Sequence, residues 1–557
     1  MAVPNLNMLT DPVFPVVTVS GARRWAAFAE LLDEAGDRPV AFDWPRGDLN
    51  VASAELAVGI LSLVHRPADE REWRAIWRGD DGVDVDARIR MLAPYFNLFG
   101  DADGRGPRFC QDLEPFAGEA NAVEALFIDT PGVNGQKKNA DLMTHRDRFP
   151  ALGLPAAAMA LYALQQFAPS GGAGNRTSMR GGGPMTTLVL PASGDGPASL
   201  KRLLLLNLVP LFGGTEGWLE DEEIGRALPW LRPTVTSDGK PPREVAETDP
   251  AVHPVQAFFG MPRRIRLVAG GEGRCPLTGQ EGPLVTGFVQ KPWGMSYSAW
   301  RHPLTPYRRS KDDAPYTVKP KAGRFGYRDW VAVSVGRDER ADQAEPAAVV
   351  RALLPRGGEV RRDRLRVRLL AAGWAMNNME AERFLESIQP LHLPEDGDEG
   401  RATAIAGTAR MFADAAEAAM RLLRSALNEA LFGGQAKTTD SGAFEEATDA
   451  FYERTEDAFH GALQAIAENG VRDGQGGALA QDWLRTVRRA ALAIFDEHAT
   501  DLLPGADVKD ADRITRAYGQ LFGALTDRSK IARELGIVLP PPGRKAADDE
   551  IQTPEGA

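Results

Sequence analysis

The residue types best suited to binding chemistry lie in residues 169–187, which read PSGGAGNRTSMRGGGPMTT. Two glycine clusters, 171–174 and 181–183, enclose Arg176 and Arg180. Glycine permits positive φ angles and allows another molecule to approach the main chain closely. Arginines beside such a loop suit a phosphate or the groove of a nucleic acid. The pattern therefore indicates either a nucleic-acid-binding loop or a flexible, glycine-rich surface loop.

Several common enzyme motifs are absent from the sequence. None of the seven histidines forms an HExxH or HxH pair, and there is neither a GxxxxGK[ST] loop nor a GxSxG elbow. The glycine stretch follows a helix-like run and precedes a strand-like run, which is the reverse of a dinucleotide site. Two cysteines, Cys110 and Cys275, exclude a disulfide framework and a cysteine-only zinc site, and they fit a reducing cytosol. These absences argue against a catalytic site, and we expect no cofactor and no bound metal.

Charge is distributed very unevenly along the chain. The formal net charge is −12, yet residues 255–370 hold 22 Lys and Arg against 11 Asp and Glu, which leaves −23 for the remainder. Aromatic side chains, including Trp293, interleave with basic ones between Lys291 and Arg328. Such residues can stack on bases and hold phosphates, although they are equally typical of the core of a β-rich domain. The basic segment makes a polyanionic partner a reasonable hypothesis.

The elements that must position these residues are short and mixed. Residues 155–167 are predicted to form a helix and residues 186–190 a strand, one on each side of the glycine stretch. Residues 55–64 indicate a buried helix, and the β-branched runs 330–335 and 365–370 indicate strands. No run of about 18 apolar residues is present, so we expect no membrane span.

Beyond residue 380 the composition changes to Ala, Leu, Glu and Arg with apolar residues at three- and four-residue spacing. Four such stretches are separated by glycine or proline breaks: about 402–432, 441–469, 479–502 and 507–536. Amphipathic helices joined by short connections usually form an antiparallel bundle. The predicted fold class is therefore α+β, with a mixed domain at 1–380, a four-helix bundle at 381–538 and a disordered tail at 539–557.

Several blocks of the sequence resemble one family, in the same order and with similar spacing. Together they are similar to CasA, the large subunit of the type I-E CRISPR Cascade complex. The blocks are NMLTDPVFPV at 7–16, ALFIDTPG at 125–132, the glycine stretch ending in RGGGPMTT at 187, TGFVQK at 286–291, WRHP at 300–303 and GWAMNN at 373–378.

The resemblance implies a DNA-recognition subunit that cuts nothing itself. Members of this family recognise the protospacer-adjacent motif in double-stranded DNA, start strand separation so that guide RNA can pair, and help to recruit a helicase-nuclease. The expected partners are therefore guide RNA, double-stranded target DNA, the other Cascade subunits and the helicase-nuclease, in the cytoplasm and away from membranes.

The resemblance also implies roles for individual residues. A glycine loop that enters the minor groove corresponds to Ser170, Gly171, Gly172, Ala173 and Gly174. Bulk at this loop would hold the main chain away from the narrow groove.

Three further parts of the expected site follow from the same resemblance. Lys291 corresponds to a lysine that probes the minor groove, the alternative being a plain phosphate contact. A strand-separating wedge corresponds to Asn378, Met379 and Glu380. One member of the family carries glutamine at this step and this chain does not, but an apolar methionine could still unstack a base step. A loop that meets the 5′ handle of the guide RNA and the backbone subunits corresponds to Phe127, Ile128 and Asp129. Phe127 could pack on an exposed base, enter a protein pocket or simply be a core residue.

Phosphate contacts should supply non-specific affinity, which falls steeply with salt. The candidate residues are Arg176, Arg180, Arg361, Arg362 and Arg364. Two other interpretations stay open: a structural scaffold subunit that meets nucleic acid only through charge, and an enzyme whose site the motifs do not reveal. Motif-bearing duplex should outcompete scrambled duplex only if the chain recognises the motif.

Overall fold

The structure is a computed structural model, and the chain divides into two compact units. The first comprises Met1–Phe325 and Asp329–Glu399, and the second comprises Gly326–Arg328 and Gly400–Ala557. The described residues are 5–101, 103–132, 137, 147–172, 174–194, 196–210, 221–309, 314–339, 342–377, 380–394, 397–435, 441–470 and 475–537. The predicted tail, 539–557, lies outside them.

In the described residues, short helices and strands alternate up to residue 390, and the elements after it are helices. The α-helices in the described part of the chain are α1 (Gly47–Val64), α2 (Glu70–Arg78), α3 (Val85–Leu92), α4 (Leu154–Phe167), α5 (Leu200–Leu206), α6 (Asp221–Ala227), α7 (Tyr327–Ser334), α8 (Ala348–Arg351), α9 (Leu353–Arg362), α10 (Glu399–Phe432), α11 (Ser441–Asn469), α12 (Gln475–His498), α13 (Val508–Ala524) and α14 (Lys530–Glu534). Single 3₁₀ turns occur at Ala29–Leu32, Ala93–Phe96, Val123–Leu126, Pro229–Leu231, Pro254–Phe258 and Thr500–Gly505.

The strands of the described residues form five small sheets. They are β1 (Phe14–Thr18), β2 (Arg23–Ala26), β3 (Pro39–Phe42), β4 (Asn121–Ala122), β5 (Leu152–Gly153), β6 (Thr186–Ser193), β7 (Glu244–Ala246), β8 (Arg264–Arg274), β9 (Glu281–Lys291), β10 (Ser296–Ser298), β11 (Tyr307–Arg309), β12 (Tyr316–Thr317), β13 (Arg337–Glu339), β14 (Asp342–Glu345), β15 (Leu365–Asn377) and β16 (Glu380–Pro390). Their orders are β2-β1-β3, β10-β7, β12-β11-β14-β13, β16-β15-β6, and β4-β9-β5 with β8 also on β9.

Two antiparallel pairings position the candidate site. Strand β15 lies between β6 and β16, with Ala372 opposite Thr186. Strand β8 runs along β9, with Arg264 opposite Lys291. The predicted domain boundary at 380/381 falls at the start of β16, inside the β15–β16 hairpin, whereas the compact units divide at Glu399.

Helix α1 is the core helix of the first unit. It is mostly apolar and is buried on nearly all sides, as expected of a helix surrounded by protein. By length and composition it is the one helix in the described part of the chain that could cross a membrane, but 89% of that stretch is buried inside the structure. Helix α1 therefore lies in the core, where α4 and α5 pack against it.

One predicted strand is wrong. Residues 330–335 lie mostly in helix α7, where the Ser334 hydroxyl donates to the Trp330 carbonyl over 2.7 Å. Trp330, Val331 and Val333 are all buried, so packing on several sides overrides the strand propensity of the β-branched residues. The predicted strand at 365–370 is confirmed as the start of β15.

In its described residues, the second unit consists mainly of the long helices α10 to α13. Aromatic side chains form its core: the rings of Phe412 and Trp483 stack with centroids 5.0 Å apart, and Tyr327 stacks on Phe459 at 4.4 Å. The prediction of an α+β fold with a C-terminal helical region is confirmed.

Candidate nucleic-acid interface

The glycine stretch is a loop closed at its base between α4 and β6. The Ser178 N–H donates to the Ala168 carbonyl over 3.0 Å, and the Gly183 N–H donates to the Phe167 carbonyl over 3.4 Å. The flanking helix and strand are those predicted from the sequence. The loop therefore leaves and returns to the core at one place, which lifts its middle residues to the surface.

The tip of the loop presents bare main chain. Gly171 and Gly172 are exposed, Gly172 has a φ of +88°, and a Cβ built on Gly172 would meet nothing within 4 Å. The side-chain amide of Asn175 donates to the Gly171 carbonyl over 2.6 Å, and its main-chain N–H donates to the Gly172 carbonyl over 3.2 Å. Ser170 is half-buried, and Ala173 lies outside the described residues. Hydrogen bonds from Asn175 thus give the exposed turn a fixed path.

The structure brings the predicted loop and the predicted lysine together. Lys291 is the exposed last residue of β9, and two residues later the Trp293 N–H donates to the Gly174 carbonyl over 2.7 Å. Gln290 donates its side-chain amide to the Asn175 side-chain oxygen over 2.6 Å. The Lys291 ammonium lies 4.9 Å from the centroid of the Phe116 ring. The loop and the end of β9 therefore form one joined surface.

Gly174 is the point of closest approach in this junction. Its φ is +79°, and a Cβ on it would lie 2.5 Å from the Pro292 Cβ. A side chain at this position would separate the two segments, so glycine is required here by both conformation and space.

Sequence reasoning missed a buried cation beneath the loop. The side chain of Arg263 lies under Gly171, and its guanidinium donates to the Pro169 carbonyl over 2.5 Å. Burial lowers the pKa of Arg263 to about 10, so it stays charged at neutral pH. No carboxylate among the described residues lies within 4 Å of it. This uncompensated charge makes the potential at the loop more positive, and the only signal in the sequence is its place in the basic segment.

Arg176 lies beside the same junction. Its guanidinium donates to the Ser237 hydroxyl over 2.8 Å and to the Ser237 carbonyl over 2.9 Å, and lies 5.3 Å from the centroid of the Trp293 ring. This half-buried arginine remains a candidate for contact with an anion at the surface.

Arg180 does not fit the predicted role of a phosphate contact. Its side chain is 1% exposed and forms a 2.6 Å ion pair with Glu55, which is itself fully buried. The guanidinium also donates to the hydroxyls of Thr186 and Thr305, each over 3.1 Å. Its charge is satisfied inside the core, so we correct this assignment: Arg180 supports the loop from within.

The other three arginines are exposed at the end of α9 and the turn into β15. Arg362 pairs with Glu359 at 2.9 Å, and Arg361 donates to the Pro394 carbonyl over 3.2 Å. Arg364 adopts a φ of +55°, and no described carboxylate lies within 4 Å of it. All three remain candidates for phosphate contact.

The predicted wedge falls between β15 and β16. Asn377 pairs with Glu380, which is exposed, whereas Asn378 and Met379 lie outside the described residues. The second glycine cluster packs on the strand that leads there, because a Cβ on Gly183 would lie 2.6 Å from the Met376 Cγ. The structure thus places the glycine stretch against the end of β15.

The predicted guide-RNA loop is packed within the first unit. Phe127 is 3% exposed, with the Arg46 guanidinium 4.4 Å from its ring centroid and the Phe149 ring at 5.1 Å. Of the open alternatives, the structure shows the core position, so the ring offers no free face for a base. Ile128 is half-buried.

Asp129 is held by arginines rather than free. It accepts from Arg46 over 2.9 Å and from Arg148 over 3.4 Å. Burial favours its neutral form, but the hydrogen bonds and charges of the two arginines outweigh burial and lower the pKa of Asp129. Asp129 thus stays ionised and fixes the turn after Phe127.

Comparison with known proteins identifies the family. The model of the CRISPR-associated protein Cse1 family matches residues 7–494. CasA of Thermus thermophilus has a similar structure (TM-score 0.65, 18% identity, 93% of this chain and 99% of that one), as does Cse1 of Thermobifida fusca (0.66, 18%, 97% and 99%). A chain of a structure described as a CRISPR RNA-guided surveillance complex also matches (0.64, 17%, 93% and 100%). At these identities the structures show a shared fold, and the family model, which spans most of the sequence, shows that the chain belongs to the CRISPR-associated Cse1 family.

Proposed function

We propose that this chain is a non-catalytic subunit of an RNA-guided CRISPR surveillance complex that recognises the protospacer-adjacent motif in double-stranded DNA. Membership of the Cse1 family supports the subunit role, as does the similar chain found in a CRISPR RNA-guided surveillance complex. In this proposal the chain works in the cytoplasm with guide RNA and the other Cascade subunits. It also starts strand separation and helps to recruit the helicase-nuclease.

One observation carries the motif-recognition part of the proposal. The exposed main chain of Gly171 and Gly172 and the ammonium of Lys291 belong to one surface, joined by the hydrogen bond from Trp293 to Gly174. A minor groove is about 6 Å wide and carries acceptors on its floor. A side-chain-free turn can enter such a groove, and an ammonium beside it can donate to those acceptors.

The positive charges around the glycine loop also favour a duplex bound at this surface. Arg263 places a buried positive charge under the turn, and Arg176 lies at its edge. Attraction to the phosphates would bring a duplex to this surface without reading its sequence. Minor-groove readout is degenerate, so we expect several related motifs to be accepted.

A competition experiment tests the proposal. The complex reconstituted with guide RNA is bound to labelled target duplex, and unlabelled duplexes with either the motif or a scrambled flank compete. The proposal predicts that motif-bearing duplex competes far better. Equal competition would contradict it and favour a scaffold that meets DNA through charge alone.

A further inference from the structure

Trp293 combines a backbone conformation that is rare for a bulky residue with a partly exposed side chain. Its side chain is 37% exposed, and its φ is +68°. A bulky residue with positive φ is a conformational outlier that persists only where the surroundings hold it, and such outliers cluster at ligand-binding sites. The backbone of Trp293 therefore indicates a binding role for this residue.

The surroundings of Trp293 fix both its backbone and its ring. Its N–H donates to Gly174 over 2.7 Å, and its carbonyl accepts from the Ser237 N–H over 3.3 Å. The Arg176 guanidinium lies over the indole at 5.3 Å and is itself clamped by two hydrogen bonds to Ser237. The indole is thus oriented in advance, with a cation over the ring and part of its surface exposed to solvent.

We propose that Trp293 is a further DNA-contact residue of this site, with its indole packed against the sugar and base edge of a nucleotide next to the one that Gly172 and Lys291 meet. This inference rests on the proposed function. Aromatic rings bind nucleotides of any sequence, because every base has a π-face and every sugar an apolar edge. An arginine over the ring adds positive charge where the backbone phosphates approach.

The hydrogen bond between Trp293 and Gly174 links this DNA contact to recognition of the motif. Because Trp293 and Gly174 share a hydrogen bond, the indole meets its nucleotide only when the glycine loop is seated in the groove. Loss of the ring should therefore weaken binding of motif-bearing duplex and leave the weaker binding of scrambled duplex unchanged.

Two substitutions test the contribution of the ring without adding backbone strain. Trp293→Gly removes the indole and relieves the positive φ, whereas Trp293→Phe keeps an aromatic ring. Tyr316→Ala is the matched control, since Tyr316 is also an exposed aromatic residue at 50%. Dissociation constants are measured for complexes reconstituted with guide RNA, on motif-bearing and scrambled duplexes. We expect Trp293→Gly to weaken binding of motif-bearing duplex roughly 5- to 100-fold, with Trp293→Phe and Tyr316→Ala within about threefold of the unaltered chain.

Three outcomes would overturn the inference. The first is motif binding by Trp293→Gly equal to that of the unaltered chain. The second is loss of complex assembly in Trp293→Gly without any DNA, because the indole would then dock another subunit. The third is an equal loss on scrambled duplex. Failure of the proposed function itself is distinguishable, since the unaltered complex would then bind motif-bearing and scrambled duplexes alike.

Discussion

The N–H of Trp293 donates to the carbonyl of Gly174 over 2.7 Å, joining two segments that lie more than a hundred residues apart in the sequence. Through this bond the end of β9, which carries Lys291, and the glycine loop after α4 become one surface. The bond requires close main-chain approach, which the absence of a side chain at Gly174 permits. The candidate site is therefore formed where two main-chain segments of the same chain meet, with Lys291 at its edge.

Gly172→Asp should abolish motif discrimination while leaving the chain folded. The added carboxylate would block groove entry by its bulk and repel phosphates by its charge. The measurement is the ratio of dissociation constants for motif-bearing and scrambled duplex. Gly21→Asp is the matched control, because Gly21 is also exposed, with a φ of +84° and open space around its Cβ position. A Gly172→Asp complex that still prefers the motif would remove the loop from the site.

Gly174→Ala should destabilise the first unit more than Gly172→Ala. Both glycines have positive φ, so both alanines carry a similar strain of about 1 kcal/mol. Only the Gly174 methyl meets an obstacle, the Pro292 Cβ at 2.5 Å, and such overpacking costs a further amount of about 1–3 kcal/mol. Thermal unfolding of the two variants measures the difference. Equal unfolding temperatures would mean that the junction yields freely.

Arg180→Ala should lower the free energy of unfolding of the chain, because Arg180 is a core residue. It leaves the buried Glu55 carboxylate without its 2.6 Å partner, which typically costs about 3–5 kcal/mol. Denaturant unfolding of the isolated chain is the measurement, with half-buried Arg176→Ala as the milder comparison. If Arg180→Ala were as stable as the unaltered chain and instead lowered the salt dependence of DNA binding, the core assignment would be wrong and the phosphate assignment correct.

His253 should make the first unit sensitive to mild acid. Burial, with help from the charges of Arg66 and Arg226, lowers the pKa of His253 from 6.5 to about 4. Between these values the unfolded chain takes up a proton that the folded chain excludes, so stability falls with decreasing pH, by at most about 1.4 kcal/mol per unit from this group.

His253→Asn isolates that contribution. The asparagine oxygen can replace the ring nitrogen that accepts from the Val255 N–H over 3.1 Å, and it does not titrate. Unfolding temperature is followed from pH 7 to pH 4 for both chains. The expected result is a shallower decline in the variant. Parallel declines would show that His253 takes up its proton equally in the folded and unfolded chains, which contradicts a lowered pKa.

Local patterns in the sequence were enough to predict the elements around the site. The helix before the glycine stretch, the strand after it and the start of β15 follow from periodicity and composition, and the structure has them at these places. Helix α7 does not, because its β-branched residues are surrounded by protein, and burial outweighs their strand propensity.

The roles of the arginines could not be predicted in this way. Arg180 and Arg176 both flank the glycine clusters, yet one lies in the core and the other at the surface. The difference is set by Glu55, which is 125 residues from Arg180 in the sequence. The buried charge of Arg263 beneath the loop depends in the same way on long-range packing. Charge is visible in a sequence, whereas its compensation by a distant side chain is not.

The most direct test of the central claim is the binding of a library of duplexes with randomised flanking motifs to complexes that contain either the unaltered chain or Lys291→Ala. The account predicts that the unaltered complex enriches a small set of related motifs. It also predicts that Lys291→Ala flattens this enrichment without preventing assembly on guide RNA. An unchanged motif profile in the Lys291→Ala complex would contradict it.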